Sequence, residues 1–361
     1  MAIRDETRML LESMGRLFED KCTKQVVDAA ETGVFAADLW QAVSETGVPL
    51  AALPESAGGA DAEWADLYAA LRVAGRFSAP IPLAETMLAG WVASSAGLDI
   101  GDGPMTVGPV RSGDRLTLAR DGNGWSLTGT ASRLPYASFV QQIVLIADGP
   151  DGEMAVVLDA ASAPTAEKGK NIANESRDTL TFDGFHVEAD AAASLPDGVS
   201  RAGLYRRGAL ARATMMSGAL ERAMDLAVTY AQERVQFGRP ISKFQAVQQN
   251  LAVLAEQTAV AVAASNLGIE ALSSGDGDYE ELQIAIAKTR VGEAATLACE
   301  LAHQVHGAIG FTKEYSLQLA TRRLWSWREE FGSDPEWAAK VGTILCGKGA
   351  DNLWSILTDG P

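Results

Sequence analysis

The hydrophobic period of this chain changes twice, and those two changes limit its fold more than any single residue does. Up to about residue 100, apolar side chains recur at helical spacing. Met9, Leu10, Met14 and Leu17 have charges between them, and Leu39-Trp40, Val43 and Val48 follow the same pattern, as helices burying one stripe do. Pro54 to Ala60 reads as a loop, Trp64 to Ala79 as a helix, and Pro80 and Pro82 as a break before a helix through Leu83–Trp91. From Met105 the period becomes two. Leu116–Ala119 and Trp125–Thr128 flank Asp121-Gly-Asn-Gly124, a hairpin signal, and Val140–Ala147, Met154–Leu158 and Thr179–Phe182 read as further strands. From about Arg201 the helical period returns, in runs at 201–236, 244–273, 279–306 and 335–357, with Ser273 to Asp278 a Gly/Asp linker. The first run is rich in small and flexible residues (Ala211, Met215, Met216, Gly218, Ala219), as a helix packed on several sides would be. The expected fold is mainly α with a central β domain. Its parts are an N-terminal helical domain over 1–103, a small middle β-barrel or sandwich over 104–195, and a C-terminal four-helix bundle over 196–361.

Composition narrows the function. A chain of 361 residues needs more than one core. Its 30 basic and 47 acidic side chains leave a net charge of −17, which argues against nucleic acid or an anionic membrane surface as a main partner. Any anionic ligand therefore needs a local basic patch. Cys22, Cys299 and Cys346 are too few and too scattered for a disulfide framework or a metal site, and His186, His303 and His306 form no ligand set with them. That usage fits a reducing, cytoplasmic compartment. No signal peptide is expected before the first helix, and the apolar stretches read as too interrupted by polar residues to span a bilayer.

The stretch from Glu233 to Gln245, Glu-Arg-Val-Gln-Phe-Gly-Arg-Pro-Ile-Ser-Lys-Phe-Gln, separates the first two helical runs. Arg234 would close the incoming helix, Gly238 relaxes the backbone, and Pro240 forbids continuation, so composition alone predicts a capped inter-helix turn. The order Arg-x-x-Phe-Gly-x-x-Ile-x-x-Phe-Gln also resembles the signature turn of the acyl-CoA dehydrogenase family. A second segment, Gln304-Val-His-Gly-Ala-Ile-Gly-Phe-Thr-Lys-Glu-Tyr315 followed by Arg322, resembles the same family in order and separation.

The resemblance implies an FAD-dependent oxidoreductase of lipid metabolism that removes the α-proton of an acyl-CoA with a glutamate and passes the β-hydride to flavin. It implies that Arg234, Gln236, Phe237 and Gln245 reach the adenosine diphosphate half of an FAD held mainly by a neighbouring subunit, with Gln304 and Gly307 contacting the same FAD. A guanidinium for pyrophosphate, an aromatic face for adenine and amides for directed hydrogen bonds suit that ligand. Ala308 departs from the commoner Gly-Gly.

The family's chemical half does not match. Val107-Gly-Pro-Val-Arg-Ser-Gly113 stands where a Thr-Glu-Pro loop is expected, and Arg133-Leu134-Pro135 where Trp-Ile-Thr is expected. Counting from Phe311 puts the usual base position on Phe331, which cannot take a proton. Counting back from Phe237 puts the alternative base on Gly208, with the neighbouring arginine position on Ala209. Glu330 and Glu329 are the nearest substitutes, against a plainer reading as solvated acids at a helix end. The pattern resembles the smaller, degenerate subunit of α2β2 acyl-CoA dehydrogenases that degrade steroid side chains. This implies a homologous catalytic partner subunit, an acyl-CoA substrate met through the complex, and an electron-transfer flavoprotein as candidate electron acceptor. The alternatives are a self-sufficient homotetramer using Glu330 or Glu329, and a non-redox scaffold. Arg206, Arg207 and Arg212 are candidates for a coenzyme A phosphate or for surface salt bridges. The arginine- and tryptophan-rich run Arg322–Arg328 reads as a buried or interfacial corner.

Overall fold

The computed structural model describes residues 5–352 together with Trp354 and Ser355. Five helices come first: α1 Asp5–Lys21, α2 Lys24–Glu31, α3 Ala37–Ser44, α4 Trp64–Arg76 and α5 Leu83–Ser95. Seven strands follow: β1 Met105–Gly108, β2 Leu116–Asp121, β3 Gly124–Pro135, β4 Gln142–Gly149, β5 Gly152–Asp159, β6 Arg177–Val187 and β7 Ala192–Ser194. The chain then returns to helix in α6 Arg201–Glu233, interrupted by the short strands β8 Val235–Gln236 and β9 Arg239–Pro240. It continues through α7 Gln245–Ala271, α8 Gly277–His306, α9 Leu317–Arg328 and α10 Asp334–Lys348. Two units emerge: residues 1–67 with 80–208, and residues 68–79 with 209–361.

In the first unit the strands form one mixed sheet, in the order β6-β3-β2-β4-β5-β7 with β1 parallel beside β4. The β2–β3 hairpin pairs Asp121 with Gly124, so the Gly122-Asn123 turn sits where sequence placed it. A single parallel pair, Thr117 with Asp148, joins β2 to β4. Helix α5 is buried on nearly every side, as its mostly apolar sequence favours. Leu88, Val92, Met105, Val107, Val144 and Ile146 share one core. Thr86 anchors the contact: its hydroxyl donates to the Met105 carbonyl at 3.2 Å and accepts from the Met105 amide at 3.0 Å.

In the second unit α7 lies along α8, and α8 also carries α9 and α10. The 12-residue helix α9, absent from the four expected runs, is built from the Arg/Trp-rich segment. Helix α7 is long and apolar enough to cross a membrane by length and composition, which differs from the expectation of interrupted apolar stretches. Its Leu254, Thr258, Ala261, Ser265, Gly268 and Ile269 are nevertheless buried in the bundle. The C-terminal half of α4 approaches α6 so closely that two glycines are obligatory. A Cβ on Gly218 would stand 1.9 Å from the Arg72 carbonyl oxygen, and one on Gly75 2.1 Å from that of Met215. The obstacle is backbone in both cases, so no rotamer change relieves it. Gly218→Ala should lower unfolding free energy by about 1–3 kcal/mol, the usual cost of overpacking, as measured by urea denaturation followed by far-UV circular dichroism.

Candidate functional site

Beyond α6 the chain does not make a simple capped turn. Phe237 (φ 52°) and Gly238 (φ 77°) are both left-handed, and Val235 pairs with Pro240 and Gln236 with Arg239. This is a two-residue hairpin whose tip needs positive φ at both central positions. A bulky residue there is strained, yet Phe237 is 92% exposed, so no burial offsets the strain. A ring held in solvent by a strained turn is a feature for contact with something else. Behind it the Arg239 guanidinium lies 4.3 Å above the Phe244 ring, which meets Phe237 edge-on at 6.2 Å. With its amide oxygen turned to the guanidinium, Gln236 accepts from Arg234 Nη2 at 2.7 Å and Nε at 3.2 Å. Gln245, also exposed, opens α7.

The second motif lies at the same end of the bundle. The consecutive helices α6, α7 and α8 put the end of the first, the start of the second and the end of the third together. The Tyr230 and His306 rings, stacked at 4.7 Å, tie the end of α6 to the end of α8. Gln304 is exposed in the last turn of α8. Gly307 (φ 65°) ends that helix, with open space where a Cβ would stand. The six sequence-predicted residues Arg234, Gln236, Phe237, Gln245, Gln304 and Gly307 are therefore exposed at one end. They offer a guanidinium, three amides, an aromatic face and an unobstructed glycine. That donor set suits the adenosine diphosphate half of a dinucleotide, and Arg239 and Lys243 add the local basic charge such a ligand requires.

The base positions are different. Phe331 is buried at φ 53°, and its carbonyl accepts from Trp337 Nε1 at 2.8 Å. Its neighbour Glu330 accepts from the Nε of buried Arg212 at 2.7 Å, and the same guanidinium stands 5.7 Å above the Phe331 ring. Glu329 is exposed, 3.7 Å from Arg328. Gly208 and Ala209, on which counting put the alternative base and its arginine, lie on α6 and have no ionisable group. Lys288, fully buried on α8, donates to the carbonyls of Trp327 at 3.0 Å and Arg328 at 2.7 Å, closing the C-terminus of α9. Burial drives its ammonium down to about 7, opposed by the Glu330 carboxylate.

In the β domain Leu134 is fully buried against Gly108, and Pro135 accepts through its carbonyl from Thr106 Oγ1 at 2.6 Å. Asp178, paired in register with Leu134, accepts from the amides of Ser138 (2.9 Å) and Gly169 (3.2 Å) and from Ser176 Oγ (2.7 Å). The segment in the Trp-Ile-Thr region is thus fixed by core packing and carries no side-chain hydrogen-bond donor at Leu134 or Pro135.

Comparison with known proteins matches residues 4–99 to the acyl-CoA dehydrogenase N-terminal domain and residues 203–334 to the acyl-CoA dehydrogenase C-terminal domain. The chain belongs to the acyl-CoA dehydrogenase family. It is similar to the acyl-CoA dehydrogenase IpdE2 of Mycolicibacterium smegmatis, 28% identical over 327 residues that cover 88% of this chain and 92% of that protein. Its fold is that of the ChsE4–ChsE5 complex from Mycobacterium tuberculosis (TM-score 0.86, 22% identity, 97% of this chain and 99% of that chain). A Tcur3481–Tcur3483 steroid ACAD variant is similar at TM-score 0.83 and 25% identity, covering 95% of this chain and 98% of that one. Acyl-CoA dehydrogenases are flavoprotein oxidoreductases that bind FAD.

Two of the arginines proposed for a coenzyme A phosphate are committed elsewhere. Arg207 lies over both Trp64 (5.0 Å) and Trp91 (4.6 Å), and Arg212 serves Glu330, so neither is a free phosphate ligand. Arg323 and Trp327 are buried inside the chain, while Trp325 faces outward. Sequence reading missed Lys288, although Ile284, Ala287, Val291 and Ala295 place it on the buried stripe of α8. Its sign of linkage is clear: between about pH 7 and 10 the unfolded chain holds a proton that the folded chain has released. Stability therefore gains from Lys288 as pH rises through that window. Urea unfolding from pH 7 to 10 should show Lys288→Met losing a rise of at most about 1.4 kcal/mol per pH unit relative to the parent.

Proposed function

We propose that this chain is the non-catalytic, flavin-completing subunit of a heteromeric FAD-dependent acyl-CoA dehydrogenase. The carrying observation is the contrast between its two halves. The residues suited to the distal end of FAD are exposed and together, whereas the usual base position is a buried phenylalanine. Glu330, the nearest carboxylate, is bonded to a buried guanidinium, which stabilises its charged form and takes up an oxygen that a base would need free. The structural relatives named as pairs, ChsE4–ChsE5 and Tcur3481–Tcur3483, support a two-chain assembly, and the steroid ACAD among them supports a bulky, steroid-side-chain acyl-CoA. When bound, FAD supplies the acceptor for the β-hydride of the thioester. This chain's part is to hold the distal half: Arg234 and Gln236 at the pyrophosphate, Phe237 at the adenine, and Gln245, Gln304 and Gly307 along the adenosine. A homologous partner subunit brings the glutamate and the isoalloxazine pocket, with an electron-transfer flavoprotein as acceptor. The assembly works in the cytoplasm, in keeping with three isolated thiols.

The visible spectrum of the chain purified alone and co-expressed with a homologous catalytic subunit tests this reading. The lone chain should be colourless and the complex yellow, with about one flavin per pair of unlike chains; a yellow lone chain that oxidises acyl-CoA overturns it. Phe331→Glu should create no activity in the lone chain. Arg234→Ala in the complex should weaken FAD binding by about 10- to 100-fold, the loss of one charge-assisted contact, measured by flavin release during equilibrium dialysis.

A further inference from the structure

His303 and His306 face different partners from one helical turn and together fix the end of α8. The His303 ring stacks on Phe311 at 4.0 Å, and its Nε2 lies 2.9 Å from Thr321 Oγ1 of α9. The His306 ring stacks on Tyr230 of α6 at 4.7 Å, meets Tyr315 at 4.9 Å, and its Nδ1 donates to the Ala302 carbonyl at 2.7 Å. The turn folds back over both rings so tightly that a Cβ on Gly310 would stand 3.0 Å from His303 Nδ1 and 3.0 Å from His306 Cβ. Gln304 projects from between the two histidines. Arg234 follows Tyr230 by one turn, and its amide donates to the Tyr230 carbonyl at 2.8 Å. Both halves of the exposed patch therefore hang on one aromatic–imidazole cluster.

We propose that His303 and His306 are positioning residues that hold the Gln304–Gly307 turn against the end of α6 while neutral, so that proton uptake loosens this edge. Two imidazoles at i and i+3 repel once both are charged, and each stands in a desolvated stack. Burial lowers both below the ordinary histidine value, and a charge on His306 further disfavours one on His303. For His306 the Ala302 and Leu226 carbonyls pull the other way. Glu233 and Arg222 of α6 act on Tyr315, the ring that meets His306, and α9 contributes the neutral Thr321 hydroxyl against His303. With both histidines depressed, the stabilisation is present above about pH 6.5 and is lost as pH falls through the folded values.

The flavin side of this inference rests on the function proposed above; the device itself does not. The chain holds three histidines, whose imidazoles NMR can follow in the lone chain, folded and in 8 M urea. His303 and His306 should titrate lower in the folded chain than in the urea-unfolded chain. Hydrogen exchange of peptides over 231–244 and 304–315, corrected for intrinsic rate, should lose at least about five-fold protection from pH 7.5 to 5. His306→Phe, which keeps a ring against Tyr230 but cannot titrate, should flatten that change. Titration of both at the same pH folded and unfolded, or equal protection at both pH values, overturns the proposal even if the variant fails to fold. In the heteromer, flavin retention should fall across the same range and be flattened by His306→Phe. A heteromer that never holds flavin would instead overturn the proposed function and leave the lone-chain result standing.

Discussion

The ion pair between Arg212 and Glu330 is the interaction on which the character of this molecule depends. Arg212 is buried in the second unit, and a buried guanidinium without a counter-ion is among the most costly arrangements a core can hold. Glu330 supplies that counter-ion from the loop after α9, so the loop must stay where Arg212 needs it. Lys288 holds the same loop from below through the last carbonyls of α9, and Arg328 reaches Asp334 at 2.7 Å to join it to the start of α10. Phe331 then turns inward beneath the guanidinium. A region that a catalytic glutamate would have to leave free for substrate is here occupied by structural charges.

The opposite end of the bundle is built on the reverse logic. Instead of paired charges and buried rings, it exposes them. Phe237 carries backbone strain without burial, and the hairpin directs Arg234, Gln236 and Arg239 outward. Gly307 leaves open space where most residues would place a Cβ. Strain, exposure and local basic charge in a chain of net charge −17 agree with one another, and they agree with an anionic ligand held from outside. The aromatic–imidazole cluster beneath supplies the rigidity that the exposed residues lack.

Much of this was legible in the order of residues. The two changes of period set helix, strand and helix, because a side chain's direction repeats every 3.6 residues in one and every two in the other. The hairpin at Asp121–Gly124 followed from turn chemistry. Counting along the motifs puts a phenylalanine, Phe331, where the resemblance leads one to expect a glutamate. Helix α9 escaped notice because arginines and tryptophans alternate along it and blur its apolar stripe. Helix α7 is less conspicuous as an apolar run because its buried face is made mostly of small residues, alanine, serine, threonine and glycine, with Leu254 and Ile269 among them.

What the sequence by itself determined, then, is the architecture, the family and the residue types at the positions reached by counting, Phe331 and Gly208. Those properties are local: they depend on residue type, period and spacing along one strand of covalent structure. Only the tertiary structure decided that Glu330 is engaged by Arg212, 118 residues away, and that Lys288 caps α9. It alone showed that Arg207 is spent between two tryptophans, and that Tyr230 and His306 lock two motifs into one patch. Those outcomes depend on distances between side chains remote in sequence. Buried charges take whatever partner the packing brings within reach, and no local pattern records which one that will be.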